Sequence, residues 1–228
     1  MSSPPKRRRG NLRNVGRLVA IEGLDGAGKR TLAAELTQAW RATGAHVAAL
    51  AFPRYGVNVH ADLVREALHG QHGDLGDSVY GMALLYALDR FQARAEIERL
   101  AAEHDVVLLD RYVSSNAAYQ AARLGESTDG DVVRWIRELE IDRFGLPVPH
   151  AQVLLSVPVD VAAERARGRA VTESGRCRDA FESDDELQRR CAVSYERLAE
   201  RNWLSPWHRV DGVGDLDAAE LVKMIDAA

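Results

Sequence analysis

Short apolar runs alternate along the chain with longer segments in which apolar residues recur every three or four positions. The apolar runs predict five buried strands, over residues 18–21, 46–52, 106–109, 152–156 and 207–210. The periodic segments predict helices over residues 29–43, 59–68, 78–103, 115–124, 131–144, 185–201 and 216–225, and one more that Asp160 can N-cap. Because strands separated by helices favour parallel βαβ units, we expect a three-layer α/β domain with a five-stranded parallel sheet flanked by helices.

Two charged segments interrupt this pattern. Residues 1–17 hold six basic residues and no acidic one, which predicts a disordered basic arm in front of a single domain over residues 18–228. The arm is either a solvated tail or an electrostatic tether. Residues 170–183 are polar and rich in Arg, Asp, Glu and Ser, which predicts a mobile loop.

Composition narrows the class of protein. The net charge is −4, so the chain after the basic arm carries −10, and a body this acidic is a poor general nucleic-acid binder. No apolar run approaches the roughly 20 residues that span a bilayer. The two cysteines, Cys177 and Cys191, form no disulfide framework, which favours a reducing compartment. We therefore expect a cytoplasmic protein with neither a membrane nor a nucleic-acid partner.

A glycine-rich phosphate-binding loop follows the first predicted strand. It has the form GxxxxGK and leads into the first predicted helix, which is the context that this motif requires. Its glycines allow backbone N–H groups to surround phosphate oxygens, and the helix N-terminus and Lys29 add positive charge. Arg30 stands where Ser or Thr normally binds Mg²⁺, so either Thr31 takes that role or the metal is held elsewhere. The candidate ATP-binding residues are Gly23, Gly26, Ala27, Gly28, Lys29, Arg30 and Thr31.

Such a loop occurs in GTPases, ATPases and small-molecule kinases. The guanine signature Asn-Lys-x-Asp does not occur in the sequence, which argues against a GTPase, and the chain is too short for most ATP-driven machines. Asp110 and Arg111 end the third predicted strand, at the sheet edge that also carries the phosphate-binding loop. Arg111 offers a planar fork for an acceptor phosphate, and Asp110 can organise Mg²⁺-bound water. With Lys29, these two residues are the first candidates for a catalytic role in phosphoryl transfer.

Five segments, in this order, resemble the thymidylate kinase family. They are EGLDGAGK at 22–29, FPRYG at 52–56, ALDR at 87–90, DRY at 110–112 and SNAAY at 115–119. The resemblance runs from Leu18 to about Leu198, and the FPRYG form is similar to the mycobacterial branch. It implies that the chain transfers the γ-phosphoryl group of ATP to dTMP with Mg²⁺ as cofactor. It also implies a homodimer through the long helices, which the apolar stretch 82–88 permits.

The resemblance implies roles for residues around the base. Tyr86 and Arg90 share one helical face, and the family stacks an aromatic ring on thymine and donates to a base carbonyl from these positions. Asn116 pairs with the base edge, and Phe52 flanks the thymine. The family commonly has Phe where this chain has Tyr86, so stacking is retained, but the extra hydroxyl needs a partner.

The resemblance also implies contacts to the sugar and the acceptor phosphate. Tyr119 crowds the sugar 2′ position and thus favours deoxyribose. Asp25 approaches the sugar 3′-OH and Mg²⁺. Arg54 and Tyr55 approach the phosphate that Arg111 holds, and the peptide bond before Pro53 is a candidate for the cis form.

An arginine-rich segment predicts a lid over residues 165–183. It carries Arg165, Arg167, Arg169, Arg176 and Arg178, and five guanidinium groups in an acidic body need an anionic target. The family closes a lid over ATP, and in the subtype with Gly at the position of Gly26 the lid arginines stabilise the transferring phosphoryl group. We therefore expect catalytic roles for Arg165 and Arg169. By the same resemblance Asp179 contacts substrate and Glu182 contacts Mg²⁺.

Two alternatives remain open at this stage. The chain is another nucleoside monophosphate kinase or a deoxynucleoside kinase, or it is a regulatory protein that binds nucleotide through the loop and nucleic acid through the basic arm. The complete set of acceptor-site segments argues against the regulatory protein.

Overall fold

The sheet of the domain consists of five parallel strands in the order β2-β3-β1-β4-β5. The computed structural model describes residues 15–168, 181 and 184–227 in full and the backbone of residues 169–172. The strands are β1 (Arg17–Glu22), β2 (Val47–Ala51), β3 (Val106–Asp110), β4 (Ala151–Ser156) and β5 (Trp207–Asp211). All four neighbouring pairs run parallel, which confirms the predicted sheet.

The helices begin and end close to the predicted positions. They are α1 (Lys29–Ala42), α2 (Val59–Leu68), α3 (Val79–Glu103), α4 (Val113–Leu124), α5 (Asp131–Arg137), α6 (Val159–Thr172), α7 (Asp185–Glu200) and α8 (Ala218–Ala227). Polar side chains explain three of the starts, because Asn58, Ser78 and Asp184 each accept a hydrogen bond from a backbone N–H of the helix they precede.

Four details of the predicted pattern are wrong. Arg17, assigned above to the basic arm, is the first residue of β1 and forms an ion pair with Asp226, whereas residues 1–14 lie outside the described residues. Asp160 lies inside the first turn of α6, because Pro158 precedes the helix and its carbonyl accepts the first helical hydrogen bond. The backbone of residues 170–172 is helical rather than a loop. The predicted helix 131–144 changes to π-helical winding over Glu138–Arg143.

Helices cover the sheet on both faces. Successive residues of β3 are buried although they point to opposite faces, as expected of a strand covered on both sides. Helices α1 and α8 pack on each other, and α3, α4 and α7 form a second group. Trp40 on α1 and Ile97 on α3 are among the large side chains with almost no exposed surface. None of the helices described here has both the length and the apolar character needed to cross a bilayer.

Candidate active site

A cleft of about 1950 Å³ opens where β1, β2 and β3 end. This is the edge at which α/β folds bind ligands, because the loops that leave parallel strands converge there. A drug-sized ligand occupies a pocket of roughly 300–1,000 Å³, so the cleft has room for two nucleotides. Most of the predicted site residues line it: Asp25, Gly26, Ala27, Gly28, Lys29, Arg30, Thr31, Phe52, Tyr55, Tyr86, Arg90, Asp110, Arg111, Asn116, Tyr119 and Arg165.

The phosphate-binding loop ends at the N-terminus of α1, as predicted. Lys29 is the first helical residue, and its Nζ donates to the carbonyl oxygens of Gly23 at 3.1 Å and Leu24 at 2.8 Å. Burial, together with the positive charge of Arg111, lowers the pKa of Lys29 to about 8. Gly23 does not line the cleft, and its contribution is this carbonyl oxygen.

The loop also passes very close to α6. Gly26 has φ of +85°, and a Cβ at this position would lie 1.9 Å from the carbonyl oxygen of Ala162. Glycine is therefore required here both by the backbone conformation and by the approach of α6. This contact sets the distance between the phosphate-binding loop and the first turns of α6, which carry Arg165.

Arg111 is the centre of a polar cluster beside the loop. Its Nη2 donates to Asp25 Oδ1 at 2.6 Å, while its Nη1 lies 3.3 Å from the hydroxyls of Ser115 and Tyr195. The hydroxyl of Tyr119 donates to Asp25 Oδ2 at 2.8 Å. Arg111 follows β3 with φ of +64°, an uncommon conformation for a residue with a side chain and one that often marks functional sites.

The electrostatics of this cluster keep Asp25 and Arg111 charged. Burial would raise the pKa of Asp25, but the charges of Arg111 and Lys29 outweigh burial and hold it well below the usual range. Burial would likewise lower the pKa of Arg111, yet Asp25 keeps it well above its ordinary value. The site therefore places a guanidinium, a carboxylate and an ammonium group side by side next to the phosphate-binding loop.

Glu22 is a buried hydrogen-bond partner of this cluster. It is fully buried at the end of β1 and accepts hydrogen bonds from the backbone N–H of Tyr112 at 2.9 Å and the hydroxyl of Ser115 at 2.5 Å. Tyr195 on α7 adds a hydroxyl 2.8 Å from that of Ser115. Burial raises the pKa of Glu22. Glu22 and Ser115 belong to the motifs named above but were not predicted to play this part, and Tyr195 was not predicted at all, because it has no local signal on its helix.

One side of the cleft combines aromatic and polar side chains. Phe52, Tyr86, Arg90 and Asn116, for which the resemblance implies contacts with the base, all line the cleft. Arg90 is almost fully buried, and its Nε and Nη2 donate to the two carboxylate oxygens of Glu140 at 2.5 and 2.7 Å. Burial would lower the pKa of Arg90, but Glu140 raises it. Glu140 was missed by sequence reasoning, because nothing near it in sequence marks it.

Arg54, which the resemblance implies approaches the acceptor phosphate, is not among the residues that line the cleft. Its Nε and Nη2 donate to the side-chain and backbone oxygens of Asp89 at 2.9 Å, and its Nη1 lies 3.4 Å from Glu96. Asp89 is itself buried and also accepts from the backbone N–H of Arg54 at 2.9 Å. Arg54 thus fixes the loop after β2, in which the peptide bond between Phe52 and Pro53 is cis, as predicted.

The opposite end of the cleft is formed by α6 and the loop after β5. Arg165 donates from Nη1 to the carbonyl oxygens of Gly212 at 3.1 Å and Ala27 at 3.4 Å. Asp211, the last residue of β5, and the loop residues Gly212, Gly214, Asp215 and Leu216 line the cleft but were not predicted, although the glycine-rich segment DGVGD, which begins at the end of the last strand, is a signal. The side chain of Arg169, as well as Asp179 and Glu182, lies outside the described residues.

Two acidic side chains at the cleft are candidate ligands for a metal ion. Asp25 and Asp110 both line the cleft, and Asp110 Oδ1 is buried without a hydrogen-bond partner among the described residues. Over the same part of the chain, no group of three or more His, Cys, Asp or Glu side chains is arranged to hold a metal. A metal here would therefore need oxygen ligands from substrate as well.

Comparison with known proteins gives a consistent result. The family model described as thymidylate kinase matches residues 21–206. A thymidylate kinase of Mycobacterium tuberculosis is 55% identical over 208 residues, covering 91% of this chain and 96% of the relative. A thymidylate kinase of Xanthomonas oryzae pv. oryzae is 34% identical, covering 91% and 81%. A probable thymidylate kinase of Thermococcus gammatolerans is 32% identical, covering 82% and 84%.

Proposed function

The chain belongs to the thymidylate kinase family, and from this premise we propose that it transfers the γ-phosphoryl group of ATP to dTMP. A phosphate oxygen of dTMP attacks the γ-phosphorus, the bond from that phosphorus to the β,γ-bridging oxygen breaks, and ADP and dTDP result. The observation that carries the proposal is the Arg111–Asp25–Tyr119 cluster, which lies between a phosphate-binding loop and an aromatic pocket.

The two halves of the cleft suit two phosphorylated substrates. The loop, the N-terminus of α1 and Lys29 would hold the phosphates of ATP. Arg111 would hold the dTMP phosphate, because its guanidinium is fixed by Asp25 and two hydroxyls within reach of the loop. No general base is required, since a phosphate monoester is already an adequate nucleophile. Catalysis then consists mainly of positioning and charge neutralisation.

The other substrate contacts follow the lining of the cleft. We propose that thymine lies between Phe52 and Tyr86, with its polar edge toward Arg90 and Asn116. Tyr119, held on Asp25, would lie beside the sugar and disfavour a 2′-hydroxyl. Tyr55, which also lines the cleft, would approach the acceptor phosphate.

The proposed cofactor is Mg²⁺, which supplies neutralisation of phosphate charge when it is bound. The residues present fit it, since Mg²⁺ prefers one or two carboxylates plus substrate phosphates and waters, and Asp110 offers a buried carboxylate oxygen without a partner among the described residues. We propose Asp25 as a metal contact, with Asp110 orienting metal-bound water. Glu182 stays a candidate outside the described residues.

The lid residues remain part of the proposal. Arg165 lines the cleft on the side of the phosphate-binding loop, which supports a contact with the donor nucleotide. We propose that Arg165 and Arg169 stabilise the transferring phosphoryl group and that Asp179 contacts substrate. The cytoplasm is the proposed location, and Cys191, the one cysteine in the described ranges, is buried and not in a disulfide.

A homodimer through α3 is proposed as well. Tyr80, Leu84 and Phe91 form an apolar stripe on this helix, and they are 44%, 39% and 45% exposed. Their spacing of four and seven residues places them on one helical face, which a second copy would cover. Light scattering after gel filtration should give the dimer mass for the protein and for the control Val193→Glu, but the monomer mass for Phe91→Glu. A monomeric parent protein would contradict the proposal.

The decisive test of function is a panel of acceptors in one coupled assay. With ATP and Mg²⁺, dTMP should give the highest kcat/KM among dTMP, dUMP, dCMP, UMP and thymidine. Discrimination against dUMP rests on one methyl group and should reach only about 10- to 200-fold. A preference for thymidine would indicate a deoxynucleoside kinase instead. Lys29→Ala should lose most turnover, while the control Lys223→Ala, at an exposed position on α8, should retain it.

A further inference from the structure

Glu140 lies directly behind the base pocket without lining it. Its side chain is fully buried on the π-helical segment Glu138–Arg143, and the cleft is lined by its partners instead. Its carboxylate oxygens accept from Arg90 Nε and Nη2, and Oε1 also accepts from Asn116 Nδ2 at 2.9 Å. One buried carboxylate therefore holds both polar side chains that face the base. π-helical turns inside helices are frequent at functional sites.

The amide of Asn116 can take only one orientation against these partners. Its Nδ2 donates to Glu140 and to the carbonyl oxygen of Ala83 at 3.0 Å, and both partners can only accept. Flipping the amide would place its oxygen against a carboxylate and a carbonyl, which leaves buried acceptors unsatisfied. Oδ1 receives a hydrogen bond from Gln120 at 3.3 Å and keeps a second lone pair. The oxygen is thus the part of the amide that is left for a ligand.

Arg90 is fixed by the same carboxylate but presents a hydrogen-bond donor to the cleft, where Asn116 presents an acceptor. Glu140 binds its Nε and one N–H of Nη2, and a guanidinium has only donors to offer with its remaining N–H groups. Both residues line the same cleft. The pocket therefore presents a donor at Arg90 and an acceptor at Asn116.

We propose that Glu140 is a positioning residue that fixes this donor–acceptor order and thereby selects 4-keto over 4-amino pyrimidines. A 4-keto pyrimidine has an acceptor at O4 and a donor at N3, whereas a 4-amino pyrimidine has a donor at N4 and an acceptor at N3. A site built to hydrogen-bond one pattern rejects the other strongly, because its buried polar groups are left unpaired. The proposal rests on the proposed dTMP kinase function and deepens it by naming what sets the choice of base.

The test compares Glu140→Gln with Asp142→Asn, the same chemical change on an exposed residue of the same segment. Glutamine keeps the size of the side chain but has one acceptor oxygen and an NH₂ donor, so it can no longer accept from Arg90 Nε as well as from Arg90 Nη2 and Asn116 Nδ2. In Glu140→Gln the ratio of kcat/KM for dTMP to that for dCMP should fall about 10- to 100-fold, mainly through KM for dTMP. The ratio of dTMP to dUMP should stay within about twofold, because both bases are 4-keto. Asp142→Asn should change neither ratio.

Each outcome decides one of the two proposals. An unchanged dTMP-to-dCMP ratio in folded Glu140→Gln would overturn the role of Glu140 alone, and so would an equal fall of both ratios, since that indicates general distortion of the pocket. A parent protein that does not phosphorylate dTMP would overturn the proposed function and this inference with it. If circular dichroism shows that Glu140→Gln is unfolded, the dTMP-to-dCMP ratio is measured for Glu140→Asp instead. This variant keeps the negative charge on a side chain that is shorter by one methylene group. An intermediate dTMP-to-dCMP ratio supports the role, and a ratio equal to that of the parent protein overturns it.

Discussion

Raising the pH above 8 should remove the proton of Lys29 in the free enzyme and lower kcat/KM for ATP. Lys29 is 8% exposed, and burial with the neighbouring charge of Arg111 lowers its pKa from 10.5 to about 8. With that pKa, only about one molecule in ten keeps the charge at pH 9, whereas a lysine of ordinary pKa would stay almost fully charged. We therefore expect kcat/KM for ATP to be about tenfold lower at pH 9 than at pH 7.5.

The assay is a pH series from 7.5 to 9.5 at saturating dTMP and Mg²⁺. The phosphates of both nucleotides lose their last proton near pH 6, well below this window. The profile of kcat, which reports the enzyme–substrate complex, should fall at higher pH than that of kcat/KM, because bound phosphates favour the charged lysine. A kcat/KM for ATP that stays flat to pH 9.5 would show that Lys29 does not lose its proton in this window.

One direct measurement separates the titration of Lys29 from that of other groups. The chain has three lysines, Lys6, Lys29 and Lys223, so an NMR titration of the lysine ammonium groups is simple to assign. The signal lost in Lys29→Met should titrate near pH 8, while that of exposed Lys223 serves as the reference.

The same pKa has a consequence for stability. The folded-state pKa is lowered below the unfolded one, so burying the charge costs stability below about pH 8, and this cost disappears as the pH rises toward 10.5. The difference between the two pKa values, 10.5 and about 8, corresponds to about 3 kcal/mol of stability. In urea denaturation, the parent protein should therefore gain about 3 kcal/mol in free energy of unfolding relative to Lys29→Met between pH 7 and 10.5.

Three further predictions address the site and the core. Arg111→Ala should lower kcat/KM for dTMP by about 10²- to 10³-fold, and Arg54→Ala by less than about tenfold, because Arg111 lines the cleft and Arg54 does not. Equal losses for the two variants in the coupled assay would contradict this placement. Gly26→Ala should raise KM for ATP by about tenfold or more, whereas Gly44→Ala, which has a similar φ but open space around it, should not; equal kinetics would show that contact with α6 is unimportant. Trp40→Ala should lower the free energy of unfolding by about 3–5 kcal/mol in urea, and a loss below about 1 kcal/mol would argue against its burial.

Local features of the sequence predicted the sheet, most helices and the phosphate-binding loop. The strand before Gly23 and the helix after Gly28 follow from apolar runs and periodicity over a few residues, and the loop conformation depends on glycines that are visible in the sequence. The position of Arg111 at the cleft also followed, because a residue that ends a parallel strand must lie at the edge where the loop lies.

The resemblance of five segments added the family and the residues proposed to contact the base, but it did not indicate how Arg54 is held. The motif places this residue beside residues that line the cleft, yet its guanidinium binds a carboxylate 35 residues away, on Asp89. No local pattern indicates which of two neighbouring side chains turns toward the cleft, because that depends on where a buried opposite charge lies.

The class of fold, the phosphate-binding loop and the set of polar residues at the strand ends follow from the sequence alone. How those residues are held depends on contacts between distant parts of the folded chain. Glu140 acts on Arg90 and Asn116 from 50 and 24 residues away, and Tyr195 lies against Glu22 across 173 residues. Buried polar groups must find partners wherever the packed chain provides them, and sequence periodicity carries no record of such pairings.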